Sequence, residues 1–465
     1  MTDFLNLNTC ISRFMVTKKI DNSFEIEAAQ RALDIVMQNG AQACRITMNF
    51  GIQNSFSVLD GKLENLQNAN DRNLYIQIIS NNKYGAYSTN RLNKEELEKF
   101  IKEAIQTTSY LTPDEYRTLP PKEICWFGTE DNLNQYDNYI MTMDPARKRE
   151  IAFEVMEEIY GKNKKIVSVN TEYGDMLEYQ YMIDSQGFEG DSLQSNFTVS
   201  AECSVKGRGK ARSEGWWYES ALHYKDFSYK GCGETALRRA LEKLNPKEMQ
   251  GGKMNMIVDN SCSSRLISPI FQALNGNNIQ QMNSFLMNKK GEKVFSEKFT
   301  LKDTPHWVGM SGSRYFDGDG IATHPMDIIR NGVVENYFIN TYAANKMGVA
   351  PTVESASVPH FSLDEFPQEM RNLTHHDMIK IMGKGILVTG FNGGNCNGLT
   401  GDFSYGIEGF YFENGEIIFP IREMNISGNI VSLWQNLAMV GNDARTCSRW
   451  LIPSLAFENT EFTGI

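Results

Sequence analysis

Residues 25 to 40, EIEAAQRALDIVMQNG, place Ile26, Ala29, Leu33 and Val36 at helical spacing before Gly40, which predicts an amphipathic helix with a glycine stop. Alternating segments follow (CRITMNF, SFSVLDGKLENL, NLYIQIIS, YGAYSTN), broken at Asp60-Gly61 and Asn81-Asn82 in the manner of a strand meander. A second helix, NKEELEKFIKEAIQTT, opens with Asn93 as N-cap and Glu96 three residues on. The stretch 111–143 carries Pro113, Pro120 and Pro121 with little periodicity, so it reads as a linker or an ordered surface excursion. Asp144-Pro145 then starts a helix running to Gly161 with Ile151, Val155 and Ile159 on one face. Strand-like IVSVNTEY, LEYQYMID and NFTVSAECSV come next, so helix-then-strands occurs twice without a residue-level repeat. After a helical stretch ending near Leu244-Asn245-Pro246, short strands with Gly and Asn turns dominate from 253 onward. The expected class is α+β, with N-terminal helix-and-sheet domains followed by a β-rich C-terminal domain. The expected boundaries are 1–24 (N-terminal extension), 25–110 (α+β), 111–143 (linker), 144–246 (central α+β) and 247–465 (β-rich).

Length agrees with several domains, because 465 residues exceed the ~250–300 at which single cores stop growing. Hydrophobic and charged fractions of 41% and 22% are those of a soluble globular protein, and no run of about 18 apolar residues could cross a bilayer. MTDFLNLNTCISRFMVTKKI lacks a basic start followed by an apolar stretch, so no secretory signal is read and a cytoplasmic location is expected. The eight cysteines form no CxxC pair, which excludes a zinc ribbon or thioredoxin-like motif and points to reduced thiols. A net charge of -11 argues against a protein that grips nucleic acid.

None of the six histidines is followed by glutamate, so an HExxH zinc helix is excluded. His375-His376 lie between Thr374 and Asp377, a helix cap with metal binding as the rival reading. YFDGDGIATHP groups Asp317, Asp319 and His324; it opens like a calcium loop but has no glutamate at the twelfth position, which favours a tight turn. KGRGKARSEGWW sets Lys206, Arg208, Lys210 and Arg212 at period two beside Trp216 and Trp217, a basic strand face that is either solvated or able to hold an acidic peptide or nucleic-acid strand. GFNGGNCNG at 390–398 has no Walker ending, no GxSxG elbow occurs, and nothing adjacent marks Cys396 or Cys447 as a nucleophile.

The segment GILVTGFNGGNCNGLTGDFSYGIEGFYFENGEIIFPIREMNISGNIVSLWQNLAMVGND, residues 385–443, resembles the C-terminal signature of the TldD/PmbA family, also called modulators of DNA gyrase. TGDFS at 400–404, ENGEI at 413–417, SGN at 427–429 and VGND at 440–443 fall in family order. DGKLE at 60–64, FDGDG, and NGVVENYFINTYAANKMG at 331–348 extend the likeness over roughly residues 25–465. In the family, TldD-type chains resemble metalloproteases with HExxxH on a helix and a further ligand near the C-terminus, whereas PmbA/TldE-type chains lack the motif and pair with a TldD subunit. At the corresponding place SCSSRLISPIFQALNG, residues 261–276, has no His, Asp or Glu and contains Pro269, so the chain resembles the PmbA/TldE branch. Cys447 lies where the catalytic branch places its last ligand.

The resemblance implies the non-metal subunit of a cytoplasmic TldD/TldE metalloprotease complex acting on peptides or unfolded segments. It implies no catalytic or metal-binding residue in this chain, zinc only in an HExxxH partner, a homodimer in isolation, and neither membrane nor nucleic acid as partner. Asp402, Ser404, Asn442 and Asp443 are the candidate peptide-binding or subunit-contact residues. The alternative is a non-proteolytic binding protein that modulates a partner such as DNA gyrase or an antitoxin.

Overall fold

The computed structural model describes residues 21–464 apart from 129–131, 210 and 365. The expected extension at 1–24 therefore lies outside the described residues up to residue 20, and Lys210 lies outside them altogether. The N-terminal half runs α1 (Ser23–Gln38), β1 (Ala43–Leu59), β2 (Lys62–Ser80), β3 (Lys83–Thr89), α2 (Lys94–Ser109), α3 (Tyr139–Thr142), α4 (Pro145–Glu157), β4 (Ile166–Asp184), β5 (Glu189–Lys206), β6 (Arg212–Ala221) and α5 (Cys232–Glu242). The C-terminal half adds β7 (Gly252–Val258), α6 (Ser264–Leu274), α7 (Gly276–Gln280), β8 (Leu301–Asp303), β9 (Met326–Arg330), β10 (Val333–Val334), α8 (Thr341–Met347), β11 (Pro359–Phe361) and α9 (His375–Met382). It closes with β12 (Lys384–Cys396), β13 (Asp402–Glu413), β14 (Glu416–Asn429), α10 (Ile430–Gln435), β15 (Leu437–Val440) and β16 (Leu455–Thr463). The class is α+β, and no helix among the described residues is long and apolar enough to cross a membrane.

Helix starts follow the capping chemistry: Asn93 Oδ1 accepts from the Glu96 amide at 2.9 Å, and Asp144 Oδ1 from that of Ala146 at 2.8 Å. The two helix-and-strand segments share one antiparallel sheet of order β3-β2-β1-β4-β5-β6, because β1 pairs with β4 from Arg45↔Asp184 to Leu59↔Asn170. Alternation drives one face inward: Ile46, Met48, Val58, Ile76 and Ile78 meet Ala29 and Val36 of α1, Leu97 of α2 and Ile151 of α4 in a single core. β3 covers β2 only from Leu74 to Ser80, so β2 from Lys62 to Asn73 has no outer strand among the described residues.

The C-terminal sheet runs β14-β13-β12-β7-β16-β15, with β12 parallel to β7, and an extra β14–β16 pairing draws its ends together. Its two faces bury different sets. Met256, Val258, Ile386 and Val388 pack with α6, whereas Ile257, Leu387, Phe410 and Phe412 pack with Met378 and Ile379 of α9. Trp434 sits inside the first core, stacked 4.2 Å from Phe299, and its Nε1 donates to Leu266 O at 3.2 Å. Glu413-Asn414-Gly415-Glu416 makes a hairpin turn between β13 and β14, with Asn414 and Gly415 at φ 55° and 77°.

The FDGDG segment is a tight turn: Asp317 N donates to Ile321 O at 3.0 Å, and Asp317 Oδ1 accepts from the amides of Asp319 and Ile321. His324 stays exposed beside it. The turn also clasps the two halves, because Arg45 of β1 donates to Asp319 Oδ1 at 3.1 Å and to Asp319 O at 2.6 Å. The 111–143 stretch is an ordered strap over its described residues. Its Arg117 guanidinium lies 3.6 Å from the Tyr342 ring centroid, and Trp126 stacks 5.7 Å from Tyr315. The basic residues do not form one strand face: Lys206 ends β5 and Arg212 starts β6, directly across the turn from each other. Gly-driven turn geometry between them outweighs the period-two spacing.

Candidate functional site

The segment 261–276, singled out by the sequence resemblance, folds around α6. Its approach is set by Asp259 just past β7, whose Oδ1 accepts from the Ser261 amide at 3.0 Å, and by buried Ser263, whose Oγ donates to Ile452 O at 3.2 Å. Leu266, Ile267, Ile270, Ala273 and Leu274 face the core. The outer side carries Arg265, which donates to Gly394 O at 3.0 Å and lies over the Tyr405 ring at 4.8 Å. Gly394 is there for space: it sits at φ 85° in a bulge of β12, and a Cβ would come 2.1 Å from Ser404 O. This accounts for Gly394 without a ligand.

Beside α6 stands the segment 443–452. Trp450 packs 4.6 Å from Phe271 of α6, and Asn260 Nδ2 donates to Asp443 O at 2.5 Å. Arg445 crosses to the N-terminal sheet, over the Trp217 ring at 3.8 Å and 3.3 Å from Glu219. Cys447 faces Tyr218, whose phenol is pushed up to about 12 by burial first and then by its hydrogen bond to that thiol. Among the described residues, no three His, Cys, Asp or Glu side chains are grouped to hold a metal ion.

Of the four candidate residues, Asp402 belongs to a latch that joins the TGD and SGN motifs. Thr400 Oγ1 donates to Asp402 Oδ2 at 2.8 Å, while Asn429 Nδ2 donates to Asp402 Oδ1 at 2.9 Å and to Thr400 O at 2.8 Å. Asn429 Oδ1 also caps α10 by accepting from the Val431 amide at 3.0 Å. The hydrogen bonds from Asn429 and Thr400 hold the Asp402 carboxyl below its usual value. Ser404 is exposed two residues along β13. Asn442 and Asp443 lie elsewhere: Asn442 Nδ2 donates to Asn372 Oδ1 at 3.0 Å, and Asp443 accepts from the amide and hydroxyl of buried Ser454 at 2.8 and 2.7 Å. No hydrogen bond joins the two pairs among the described residues. Asn429→Ala is expected to cost about 1–2 kcal/mol in denaturant unfolding through the lost cap. Adding Asp402→Ala should then change little, because both substitutions break one network.

Sequence reasoning did not find the polar cluster at the end of β7. Thr374 starts α9 as expected, its amide and hydroxyl both donating to Asp377 Oδ2. The same cap aims His375 at Asp259, Nδ1 to Oδ2 3.5 Å, and Arg239 of α5 reaches Asp259 at 3.6 Å and Thr389 O at 3.1 Å. Burial, opposed by Asp259, holds the His375 imidazole below its ordinary value. The sequence signal was present only in part: the cap placed His375 in a first turn, but its partner is 116 residues away.

Three profiles match in succession: PmbA/TldA metallopeptidase domain 1 over residues 47–107, the central domain over 139–244 and the C-terminal domain over 251–464. The chain is 26% identical over 440 residues to metalloprotease PmbA of Escherichia coli O157:H7, covering 92% of this chain and 95% of that one. A crystal structure of a candidate modulator of DNA gyrase from Bacteroides thetaiotaomicron superposes with TM-score 0.91 at 44% identity, over 95% of this chain and 99% of that chain. TldE from Thermococcus kodakarensis shares the fold, with TM-score 0.81 at 18% identity over 94% of this chain and 100% of that chain. With all three domains matched in order and one relative nearly half identical end to end, the chain belongs to the PmbA/TldD metallopeptidase family.

Proposed function

We propose that this chain is the PmbA/TldE-like, non-metal subunit of a cytoplasmic TldD/TldE-type metalloprotease complex that acts on peptides or unfolded segments. The observation that carries this reading is the composition of α6 and its neighbour. The family's name implies a metal, and the residues here do not fit one: positions 261–276 offer no imidazole or carboxylate and only the Cys262 thiol, which donates to Asp259 O, while the 443–452 segment offers only the Cys447 thiol and the Ser454-bound Asp443. Catalytic zinc takes three protein ligands and leaves a fourth position for water, and among the described residues no three such side chains are grouped. Hydrolysis in this proposal belongs to an HExxxH-bearing partner, and no catalytic step is assigned to this chain.

The chain's own contribution is to shape and wall the substrate chamber. The uncovered edge of β2, Lys62 to Asn73, supports binding of an extended peptide by strand addition, which reads main chain more than side chain. Exposed Ser404 and Asn442 are the proposed peptide or subunit contacts, with Asp402 and Asp443 holding the backbone from which they project. The test is reconstitution. Purified chain should leave an unfolded peptide substrate intact, and cleavage should appear when a family chain carrying HExxxH is added. Failure of that partner to bind, together with recovery of gyrase or an antitoxin from the cell, would favour the modulatory reading instead.

A further inference from the structure

On the far side of the C-terminal sheet from α6 lies a cleft of about 510 Å³ between α5, α9 and the β13–β14 hairpin. The sheet itself separates the two places: Leu387 and Phe410 face the cleft side with α9, while their neighbours Ile386 and Val388 pack with α6. The volume is within the range of small-molecule sites, roughly 300–1,000 Å³. Its walls divide by chemistry.

One wall is apolar: Leu387, Phe410, Ile417, Ile418 and Phe419, with Ile417 and Ile418 left 43% and 52% exposed at the rim. The other wall is polar, and its carboxylates are already engaged. Glu242 accepts from Arg238 at 3.0 and 3.1 Å, Glu408 accepts from Lys243 at 2.6 Å, and buried Asp259 is shared by Ser261, Arg239 and His375. Donors are left over. The His376 ring, 4.3 Å from that of His375, and the buried Thr389 hydroxyl have no hydrogen-bond partner among the described residues. A ligand that completes this site brings acceptors to His376 and the Thr389 hydroxyl and an apolar body to the hairpin.

We propose that this cleft is a second binding site, which takes a carboxylate attached to an apolar body. Two sources present that chemistry: a medium-chain fatty acid, and the carboxyl end of a peptide whose last side chain is apolar. The inference is independent of what α6 does.

Calorimetric titration of the full-length chain with octanoate and with N-acetyl-leucine tests it, with octanol and N-acetyl-leucinamide as the uncharged counterparts. At least one acid should bind saturably and about tenfold or more tighter than its counterpart, the factor expected of a charge-assisted hydrogen bond. Binding of octanoate alone identifies the acyl source, and binding of N-acetyl-leucine the peptide end. His376→Ala and Ile418→Glu, both at exposed positions, should each weaken that acid by about tenfold while unfolding like the parent. The proposal is overturned if neither acid saturates, if the uncharged counterpart binds equally, or if either variant binds like the parent.

Discussion

Replacing Arg45 with alanine should lower unfolding stability by about 3–5 kcal/mol, the cost of leaving a buried ion pair half empty. Arg45 is only 3% exposed, and it faces Asp319 at 3.1 Å and Asp184 at 3.6 Å while also donating to Asp319 O. The surroundings are acidic. Asp317, buried in the same turn, has its carboxyl pushed up to about 7 by burial first and then by Glu354 and Asp319. Without the guanidinium, two carboxylates remain in a crowded, poorly hydrated turn with no cation to offset them. Urea unfolding measures the loss. Asp319→Asn, which keeps an acceptor for the Thr341 amide or for Arg45 and leaves Arg45 paired with Asp184, should cost clearly less; equal losses would show that Asp184 and the retained acceptor do not hold Arg45 without the Asp319 charge.

Asp443→Ala is expected to cost about 2–3 kcal/mol, since it strands the amide and hydroxyl of fully buried Ser454. The effect should also reach α6, because the same residue's carbonyl receives Asn260 just before that helix. Its neighbour behaves differently. Asn442 is exposed, so Asn442→Ala should change stability by no more than about 0.5 kcal/mol. Asn442→Ala is nevertheless expected to weaken association with an HExxxH partner, measured by titration of the two purified chains. Unchanged association would remove Asn442 from the subunit contact.

Local chemistry was legible in the sequence wherever a signal and its partner lie close together. Asn93 and Asp144 cap their helices, Asn414-Gly415 turns its hairpin, and Asp317 folds back on its own segment, each within four residues. Long-range pairing was not legible. Strand alternation gives each strand an inner face but no partner, so nothing in 43–59 announces that β1 pairs with β4 more than a hundred residues on and merges the two helix-and-strand segments into one sheet. Arg45 and Asp319 are 274 residues apart, and the TGD and SGN motifs 27, so the clasp and the latch emerge only from the fold. The period-two run of basic residues misled for a related reason: alternation resembles a strand, but glycines inside it make a turn.

We propose that α6 and the 443–452 segment wall a substrate chamber without a metal centre of their own. Purified chain, incubated with excess zinc and dialysed, is the direct test by metal analysis alongside a peptidase assay. Neither stoichiometric zinc nor cleavage by the chain alone is expected; stoichiometric zinc together with peptidase activity would place a metal centre in this chain.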